Sequence, residues 1–295
     1  MEIHEWMIKP TYQTEWIQRR GIFLWLALYT GGLGGGLYLV SLYFDSLIGM
    51  ITGFLIVAVL KGSFHIAFLG KPWRFWRIVS RPQTSWLTRG FIFVFLFTAF
   101  AAIQIILTFT IPGTVWELLF KVFAGMMAFG VATYTGFVLN KIKTISFWDS
   151  PLLPVLFVMC GLLGGFGLIV LIALFDSSIS IAIAEAGSRW LLIINALLIV
   201  AYLWTAVNRD STGKQSVVEQ MRGKVAPVFW IGIVALGIVI PLSVAAISYV
   251  AGHASSGILI AGVACEIVGG LTLRYCILRV GIYKPLFPAP GYVKS

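Results

Sequence analysis

The sequence contains few charged residues. Asp, Glu, Lys and Arg together make up 11% of its 295 residues, whereas 59% are hydrophobic. Soluble domains are about 25% charged and about 45–50% apolar, so this composition excludes a water-soluble globular fold. Because a spanning helix needs about 20 apolar residues, the length accommodates eight membrane spans with short connections.

Cysteine and histidine are also scarce. The three cysteines, Cys160, Cys265 and Cys276, fall in apolar stretches, and the sequence has no CxxC or Cys/His spacing. This excludes an iron–sulfur cluster or a structural zinc site of the protein's own. A membrane haem b needs two axial histidines inside the bundle, and only His65 of the three histidines lies in a predicted span. The sequence therefore predicts neither haem nor another bound metal.

The apolar runs predict an all-α integral membrane protein whose eight helices form two four-helix-bundle-like halves. The runs cover residues 21–44, 46–69, 90–111, 116–140, 151–175, 189–208, 226–250 and 256–281. We divide the protein into an N-terminal cytoplasmic or interfacial segment at 1–20, a membrane domain at 21–281 and a cytoplasmic tail at 282–295. The polar connection at 209–225 predicts a short surface helix.

The positive charge is confined to one side of the predicted bundle. Seventeen of the 21 basic residues lie in the N-terminal segment, in the connections after the second, fourth and sixth spans, and in the tail. Basic connections face the cytoplasm, so we expect both termini there, and the net charge of +10 does not indicate nucleic-acid binding. The second connection also interleaves Trp73, Trp76 and Trp86 with its basic residues, a pattern that suits contact with lipid headgroups.

Ionisable side chains inside predicted spans are costly and are therefore candidates for function. Lys61 and His65 are four residues apart and share a helix face. Tyr134 on the fourth span lies at a depth similar to that of His65, as counted at about 1.5 Å per residue. An imidazole and a phenol at matched depth suit hydrogen bonds to the two ends of a quinone head, or transfer of its protons. The alternative for His65 is a hydrogen bond to a neighbouring helix carbonyl.

A second group of polar residues within the spans predicts proton transfer. Glu266 lies in the middle of the eighth span, Arg274 follows on the same side two turns later, and Lys121 lies on the fourth span. Gln104 and Glu117 accompany Lys121, and these residues form either a proton-conducting string or paired structural charges. The glycine-rich stretch 31–36 has a different interpretation, since small residues allow helices to approach closely.

The connection after the second span carries the most distinctive motifs. They are Leu69-Gly70-Lys71-Pro72, Arg74-Phe75-Trp76-Arg77 and the eleven residues SRPQTSWLTRG at 80–90. They resemble the LGxP…RFW…SRPxTSWxxRG signature of the NrfD/PsrC family, the integral membrane subunits of polysulfide-reductase-like respiratory complexes. Tyr134-Thr135-Gly136, the Ser-Pro-Leu-Leu-Pro run at 150–154 and parts of the first and last two spans add to the resemblance, which covers nearly the whole sequence.

The resemblance implies a haem-free anchor in a prokaryotic cell (inner) membrane that oxidises quinol or reduces quinone, with menaquinone as the expected quinone. It implies as partners a ferredoxin-like multi-cluster iron–sulfur subunit and, through it, a molybdenum- or tungsten-dependent catalytic subunit. The protein would then carry the quinone reaction of an oxidoreductase complex whose other active site lies elsewhere.

The resemblance and the ionisable residues within the spans together give the candidate site residues, with His65 as a substitute ligand where the family often has an acidic residue or histidine and this sequence has Phe68. For quinone binding they are His65, Tyr134, Lys61, Trp25 and Tyr29, where Trp25 aligns with a quinone-contacting histidine of the polysulfide reductase subunit. Docking in the family uses the face with the second and fourth connections, which here is the basic, cytoplasmic face. The candidate docking residues are Arg81, Pro82, Ser85, Trp86 and Arg89.

A different class of function also remains open at this point. A secondary transporter or proton-translocating channel would use the intramembrane residues Lys61, Lys121 and Glu266. Transporters often contain broken helices in the middle of the membrane, and Pro241 interrupts the seventh span. A purely structural anchor would leave Lys61 and His65 without a reason for their cost.

Overall fold

The structure, a computed structural model, describes residues 9–80, 83, 85–251 and 255–285. Eight helices of this part of the protein are long and apolar enough to cross a membrane, which confirms the predicted fold class. They are α1 (Gly21–Tyr43), α2 (Leu47–Phe68), α3 (Trp86–Thr110), α4 (Val115–Asn140), α5 (Leu152–Ala173), α6 (Ile181–Val207), α8 (Val228–Ala251) and α9 (Ser256–Arg279). The predicted surface helix is also present as α7 (Ser211–Arg222).

The sequence placed the beginnings of two helices too late. Helix α3 begins at Trp86 rather than at 90, because the hydroxyl of Ser85 caps it by accepting a hydrogen bond from the amide of Thr88. Helix α6 begins at Ile181 rather than at 189. Its first two turns contain Glu185, which lowers the hydropathy without ending the helix. Arg189, predicted at a helix entrance, therefore lies in the third turn of α6.

Helix α1 lies at the centre of the bundle, where it contacts α2, α4, α5 and α9. Its contact with α5 depends on two pairs of glycines, Gly32 and Gly36 in α1 and Gly161 and Gly165 in α5. The two glycines of each pair are four residues apart. A Cβ atom on Gly36 would overlap the carbonyl group of Gly161, and a Cβ on Gly161 would lie 2.6 Å from the carbonyl oxygen of Gly32. The glycine-rich stretch thus has the predicted packing role, and it joins the group α1–α4 to the group α5–α9.

Two spans contain π-helical stretches that the sequence analysis did not predict. In α2 the stretch covers Ile56–Lys61, and in α8 it covers Val228–Val239. Helix α8 continues through Pro241, which the sequence analysis interpreted as an interruption. Proline lacks a backbone N–H donor, and the wider turns that precede it end two residues before it.

The two ends of the described part of the protein meet at one end of the bundle. Strand β1 (Thr11–Tyr12) pairs antiparallel with β2 (Ile282–Tyr283), and the amide of Lys284 donates to the carbonyl of Thr144 over 2.8 Å. We call this end, together with the connection 69–85, the basic face. The other end, where α6 and α9 begin, is the opposite face.

Ion pairs hold the connections of the basic face together. Asp149 forms ion pairs with Lys143 and Arg209. Asp210 pairs with Lys284 over 3.1 Å and accepts a hydrogen bond from the backbone amide of Gly213 over 2.8 Å, so it also caps α7. The connection after α4, the surface helix and the tail are therefore fixed to one another.

Candidate functional site

A cavity of about 580 Å³ lies between α2, α3, α4 and the connection 69–85. Most of its wall is apolar, and its polar side chains come from Lys61, His65 and Tyr134. Small-molecule sites have volumes of about 300–1,000 Å³, mostly apolar walls and a few polar groups, so this cavity has the properties of a ligand site.

The buried ammonium group of Lys61 joins three helices at this cavity. Its Nζ donates one hydrogen bond to the hydroxyl of Tyr134 over 2.7 Å and one to the carbonyl oxygen of Ala27 over 3.1 Å. A Cβ on Gly31 would lie 2.8 Å from Nζ, so the glycine of α1 makes room for the lysine. None of the ion pairs between the residues that the structure describes involves Lys61.

The π-helical stretch of α2 ends at Lys61. A π turn contains more residues than an α turn and therefore changes the direction in which the following side chains point. Such turns occur frequently at functional sites. Here the change of direction is located at the lysine that reaches α1 and α4.

His65 lies one turn further along α2 and lines the same cavity. Its Nδ1 is 3.2 Å from the carbonyl oxygen of Lys61, one turn earlier in the same helix. When Nδ1 donates to that oxygen, Nε2 is the ring nitrogen able to accept a hydrogen bond from a ligand. His65 can therefore bind a ligand through Nε2 while its Nδ1 stays hydrogen-bonded to the carbonyl of Lys61.

Tyr134 is fixed in place by α3 as well as by Lys61. A Cβ on Gly90 would overlap the ring of Tyr134, so only glycine at this position allows α3 to lie against the ring. Gly90 is the last residue of the eleven-residue motif at 80–90. Its position at the end of that motif is the one signal in the sequence that points to this role.

Trp25 and Tyr29, the other candidates for quinone binding, do not line this cavity. The indole nitrogen of Trp25 donates to the carbonyl of Leu271 over 3.0 Å, and the hydroxyl of Tyr29 donates to the carbonyl of Ile267 over 2.8 Å. Both side chains thus connect α1 to α9, on another side of α1 from the cavity.

A second buried cation, Arg274, packs against the glycine next to Gly31. A Cβ on Gly32 would overlap its guanidinium group. That group donates to the carbonyl of Leu28 and, over 3.3 Å, to the carbonyl of Phe157. Adjacent glycines of α1 thus lie against two different buried cations.

The three proton-transfer candidates do not form one cluster. Lys121 forms ion pairs with Asp45 over 2.9 Å and with Glu117 over 3.3 Å, near the opposite face. Glu266 instead accepts a hydrogen bond from Ser188 over 3.3 Å, on the side of the bundle formed by α6 and α9. Arg274 forms neither contact.

Lys121 also belongs to a series of hydrogen bonds. Glu117 accepts from Thr108 over 2.7 Å, and Gln104 donates to Thr108 over 2.8 Å. The hydroxyl of Tyr38 then donates to Gln104 over 3.0 Å. Hydrogen bonds therefore connect Tyr38, Gln104, Thr108 and Glu117, and the paired charges of Glu117 and Lys121 lie at one end of this series.

Two of the five candidate docking residues, Arg81 and Pro82, lie outside the described residues. The other three organise the beginning of α3. Ser85 caps the helix, Trp86 stacks on Phe137 with ring centroids 4.3 Å apart, and the guanidinium of Arg89 lies 4.8 Å from the Trp86 ring. They fix the beginning of α3 to α4 beside the cavity.

Within the described residues, no group of three or more His, Cys, Asp or Glu side chains is placed to hold a metal ion. The ionisable groups that line the cavity are an ammonium, an imidazole and a phenol, and the indole of Trp73 adds an N–H donor. These groups suit an organic molecule with oxygen atoms that accept or donate hydrogen bonds.

The fold and the cavity define a multi-pass helical membrane protein with a mostly apolar ligand site near one end of its bundle. The family described as "Polysulphide reductase, NrfD" matches residues 20–285, so the protein belongs to the NrfD family. This confirms the resemblance drawn from the motifs at 69–90.

Two curated relatives show how far the similarity extends. The protein named "Protein NrfD" of Escherichia coli strain K12 is 27% identical over 258 residues, which cover 76% of the present sequence and 79% of that protein. The C subunit of polysulfide reductase from Wolinella succinogenes is 26% identical over 163 residues. That match spans 53% of the present sequence and only about half, 51%, of the length of the relative.

Proposed function

We propose that this protein binds quinone in the cavity between α2, α3 and α4 and transfers electrons between the membrane quinone pool and an iron–sulfur subunit docked on the basic face. The observation that carries the proposal is the cluster of Lys61, His65 and Tyr134 in an otherwise apolar cavity. An apolar wall suits a quinone ring and its isoprenoid tail, while the cluster supplies partners for the ring oxygens.

The position of the cavity favours a ligand that arrives from the lipid. Ile66 and Leu87 line it and are 61% and 49% exposed at the surface of the bundle. Apolar side chains exposed on a spanning helix face lipid tails. A lipid-soluble molecule can therefore reach Lys61 without crossing an aqueous phase.

Oxidation of a quinol releases two electrons and two protons. Lys61 donates to the oxygen of Tyr134, which leaves the phenol hydrogen free to bind a quinone oxygen. The ammonium group of Lys61 also stabilises negative charge that develops on the quinone oxygen. His65, with Nδ1 on the carbonyl of Lys61, accepts a hydrogen bond or a proton at Nε2.

The basic face is the proposed docking surface. The cavity borders the connection 69–85, where Trp73 is 90% exposed. A cluster docked there lies close to the bound quinone head. We assign this face and both termini to the cytoplasm of a prokaryotic cell, because basic connections are retained on that side.

The partners proposed by family resemblance are a ferredoxin-like subunit and a molybdenum- or tungsten-dependent catalytic subunit, with menaquinone as the quinone. The assignment of the basic face to the cytoplasm is tested by protease treatment of right-side-out vesicles that contain the complex. Protection of the co-purified iron–sulfur subunit supports the cytoplasmic face, and its digestion refutes it.

The first experiment is to measure quinone in organic extracts of the purified complex and to titrate the same sample with a quinol analogue. We expect near-stoichiometric quinone that the analogue displaces. His65→Ala should weaken analogue binding about tenfold, the loss of about 1.4 kcal/mol expected for one hydrogen bond. Trp25→Phe is the matched control, because this aromatic residue lies outside the cavity, and it should leave the affinity unchanged.

A complex that retains its iron–sulfur subunit but contains no quinone and binds no analogue would contradict the proposal. Equal affinities in the wild type and His65→Ala would refute the role of His65 alone. The first of these results would favour the transporter or channel hypothesis, in which Lys61, Lys121 and Glu266 bind protons or a solute.

A further inference from the structure

Glu266, in the middle of α9, is a buried carboxylate with an incomplete set of partners. Its Oε2 accepts a hydrogen bond from Ser188, whereas its Oε1 has no hydrogen-bond partner among the residues that the structure describes. A Cβ on Gly167 of α5 would lie 2.8 Å from Oε1, so the glycine leaves space there. An unpaired carboxylate at this depth costs several kcal/mol, which favours uptake of a proton or contact with water.

A small cavity adjoins this carboxylate on one side. It measures about 20 Å³ and is lined by Glu266, Asn195, Tyr29 and Cys160 among others. The side-chain oxygen of Asn195 is also buried and has no partner within the described part of the protein. One water needs about 10–15 Å³ and at least two polar partners, so the cavity suits a single water that donates to Glu266 and Asn195.

A second cavity adjoins Glu266 on the other side. It measures about 40 Å³, and its polar lining consists of Glu185, Ser188, Arg189 and Ser248 together with Glu266. Ser248 donates a hydrogen bond to Glu185. Glu185 lies in the second turn of α6, near the opposite face of the bundle. Polar groups therefore continue from that face to the middle of the membrane.

The polar groups end at a fixed positive charge on the side of the basic face. The guanidinium of Arg274 lies 5.8 Å from the ring of Tyr29, which borders the first cavity. A fixed cation repels a migrating proton, as the arginines of selective pores do. The glycines of α1 then separate Arg274 from Lys61, so this region is distinct from the large cavity.

We propose that Glu266 is a proton-binding site that exchanges protons with the aqueous phase on the opposite face, through Ser188 and water in the second small cavity, while water in the first small cavity hydrogen-bonds to Oε1. Arg274 closes the route before it reaches Lys61. In the exchange, the Ser188 hydroxyl passes its proton to Oε2 and takes another from water in the second cavity, and the reverse steps return the proton by the same route. The site does not depend on quinone binding in the large cavity.

Infrared difference spectroscopy tests the site in the intact complex reconstituted into liposomes. A pH step should change the carbonyl-stretch band of a protonated carboxylic acid, and Glu266→Gln should remove that change. Glu117→Gln is the matched control, since Glu117 is also a buried carboxylate of a spanning helix but is paired with Lys121. It should leave the band unchanged. A wild-type band that persists in Glu266→Gln, or its absence from the wild type, would overturn the proposal.

The route has its own test. Ser188→Ala should slow hydrogen–deuterium exchange of the band about tenfold, because it removes from the path the hydroxyl that donates to the carboxylate. In liposomes of uniform orientation, the band should respond at once to a pH change on the opposite face and slowly to one on the basic face. The reverse order of responses would refute the route.

A folding defect in Glu266→Gln is checked by thermal unfolding in detergent, whose midpoint should be close to that of the wild type. If this variant does not fold, Glu266→Asp should shift the band instead of removing it, and an unshifted band would exclude Glu266. Failure of quinone binding leaves the infrared test intact, so the two proposals fail independently.

Discussion

The ammonium group of Lys61 donates a hydrogen bond to the hydroxyl of Tyr134 over 2.7 Å, and this contact connects α2 to α4 at the wall of the large cavity. The other acceptor of the lysine is a backbone carbonyl rather than a carboxylate. A buried cation held only by neutral oxygens is costly, and its positive potential stays available to a ligand. This combination is the reason to regard the pair as a binding element rather than a structural ion pair.

Replacement of either member of this pair should weaken quinone-analogue binding. Lys61→Met removes the cation and should raise the Kd about tenfold, or about 1.4 kcal/mol, and Tyr134→Phe should do the same. Because the two groups act together, the double variant should lose much less than the sum of the single losses. Analogue titration of the four proteins measures the coupling.

The control for that cycle is Lys121→Met, which removes another lysine of the spanning helices at the opposite face. It should leave the Kd within about twofold of the wild type, a change of less than about 0.5 kcal/mol. If the losses of analogue affinity in the two single variants simply added up in the double variant, Lys61 and Tyr134 would not act together in binding.

Ionisable residues within apolar runs could be selected from the sequence, and Lys61, His65 and Tyr134 do line one cavity. The contact between Lys61 and Tyr134 could not be predicted, because it depends on the π-helical stretch at Ile56–Lys61. Side-chain directions deduced from α-helical periodicity do not hold after such a stretch. Counting residues for depth pairs Tyr134 with His65, whereas the closer partner in the structure is Lys61, one turn earlier in α2.

The start of α6 illustrates a second limit. Hydropathy alone placed Arg189 at a helix entrance, because Glu185 and Arg189 lower the apolar average at the beginning of that helix. In the folded protein Glu185 accepts a hydrogen bond from Ser248, and the guanidinium of Arg189 lies 4.9 Å from the Tyr249 ring. Tertiary partners thus allow charged residues inside a span, and the sequence contains no sign of those partners.

The charged cluster around Lys121 should contribute to stability and not to the reaction with quinone. Glu117→Gln weakens the ion pair with Lys121 and the hydrogen bond from Thr108, so we expect a loss of about 1–3 kcal/mol. Thermal unfolding in detergent measures the loss, and electron transfer from quinol should keep its wild-type rate. A large fall in that rate without a fall in stability would instead support the proton-conducting string.

Asp210 should stabilise the basic face through its cap of α7. Burial opposes ionisation of this carboxylate, but hydrogen bonds from the amide of Gly213, from Ser146 and from Lys284 outweigh it and lower its pKa to about 2. Asp210→Ala should cost about 1–2 kcal/mol at neutral pH. Protease cleavage within the connection 208–227 measures the loss.

The sign of the pH dependence follows from the lowered pKa of Asp210. The stabilisation by the ionised carboxylate is fully present above the ordinary value of 3.8 and is lost as the pH falls through about 2. The difference between wild type and Asp210→Ala should therefore shrink below pH 3.8. Asp210→Asn retains an oxygen able to cap the helix and should lose less than Asp210→Ala; an equal loss would assign the effect to charge alone.

The glycine contact between α1 and α5 should be sensitive to a single methyl group. Gly36→Ala forces Cβ into the carbonyl group of Gly161, and overpacking of this kind costs about 1–3 kcal/mol. Gly257→Ala is the matched control, because no atom of the described residues lies within 4 Å of its added Cβ. Heating in detergent should lower the monodisperse fraction of Gly36→Ala only. Equal stability of the two variants would show that α1 and α5 separate easily.

Two glycines of the large cavity also differ in the space around them, and their alanine variants distinguish an effect on ligand binding from an effect on stability. Both Gly90 of α3 and Gly62 of α2 line the cavity. A Cβ on Gly90 would overlap the ring of Tyr134, whereas a Cβ on Gly62 has no atom of the described structure within 4 Å. Gly90→Ala must therefore displace the phenol from Lys61 or move α3 away from α4.

We expect Gly90→Ala to weaken quinone-analogue binding at least about tenfold, since it disturbs the hydrogen bond between Lys61 and Tyr134 that orients both groups toward the ligand. Gly62→Ala adds a methyl group to the same cavity and should change the affinity little. Membrane insertion of both variants, measured by the yield of folded protein, should match the wild type. If the two alanines had equal effects on the affinity, the position of the Tyr134 ring would not determine binding, and the ligand would contact another part of the wall.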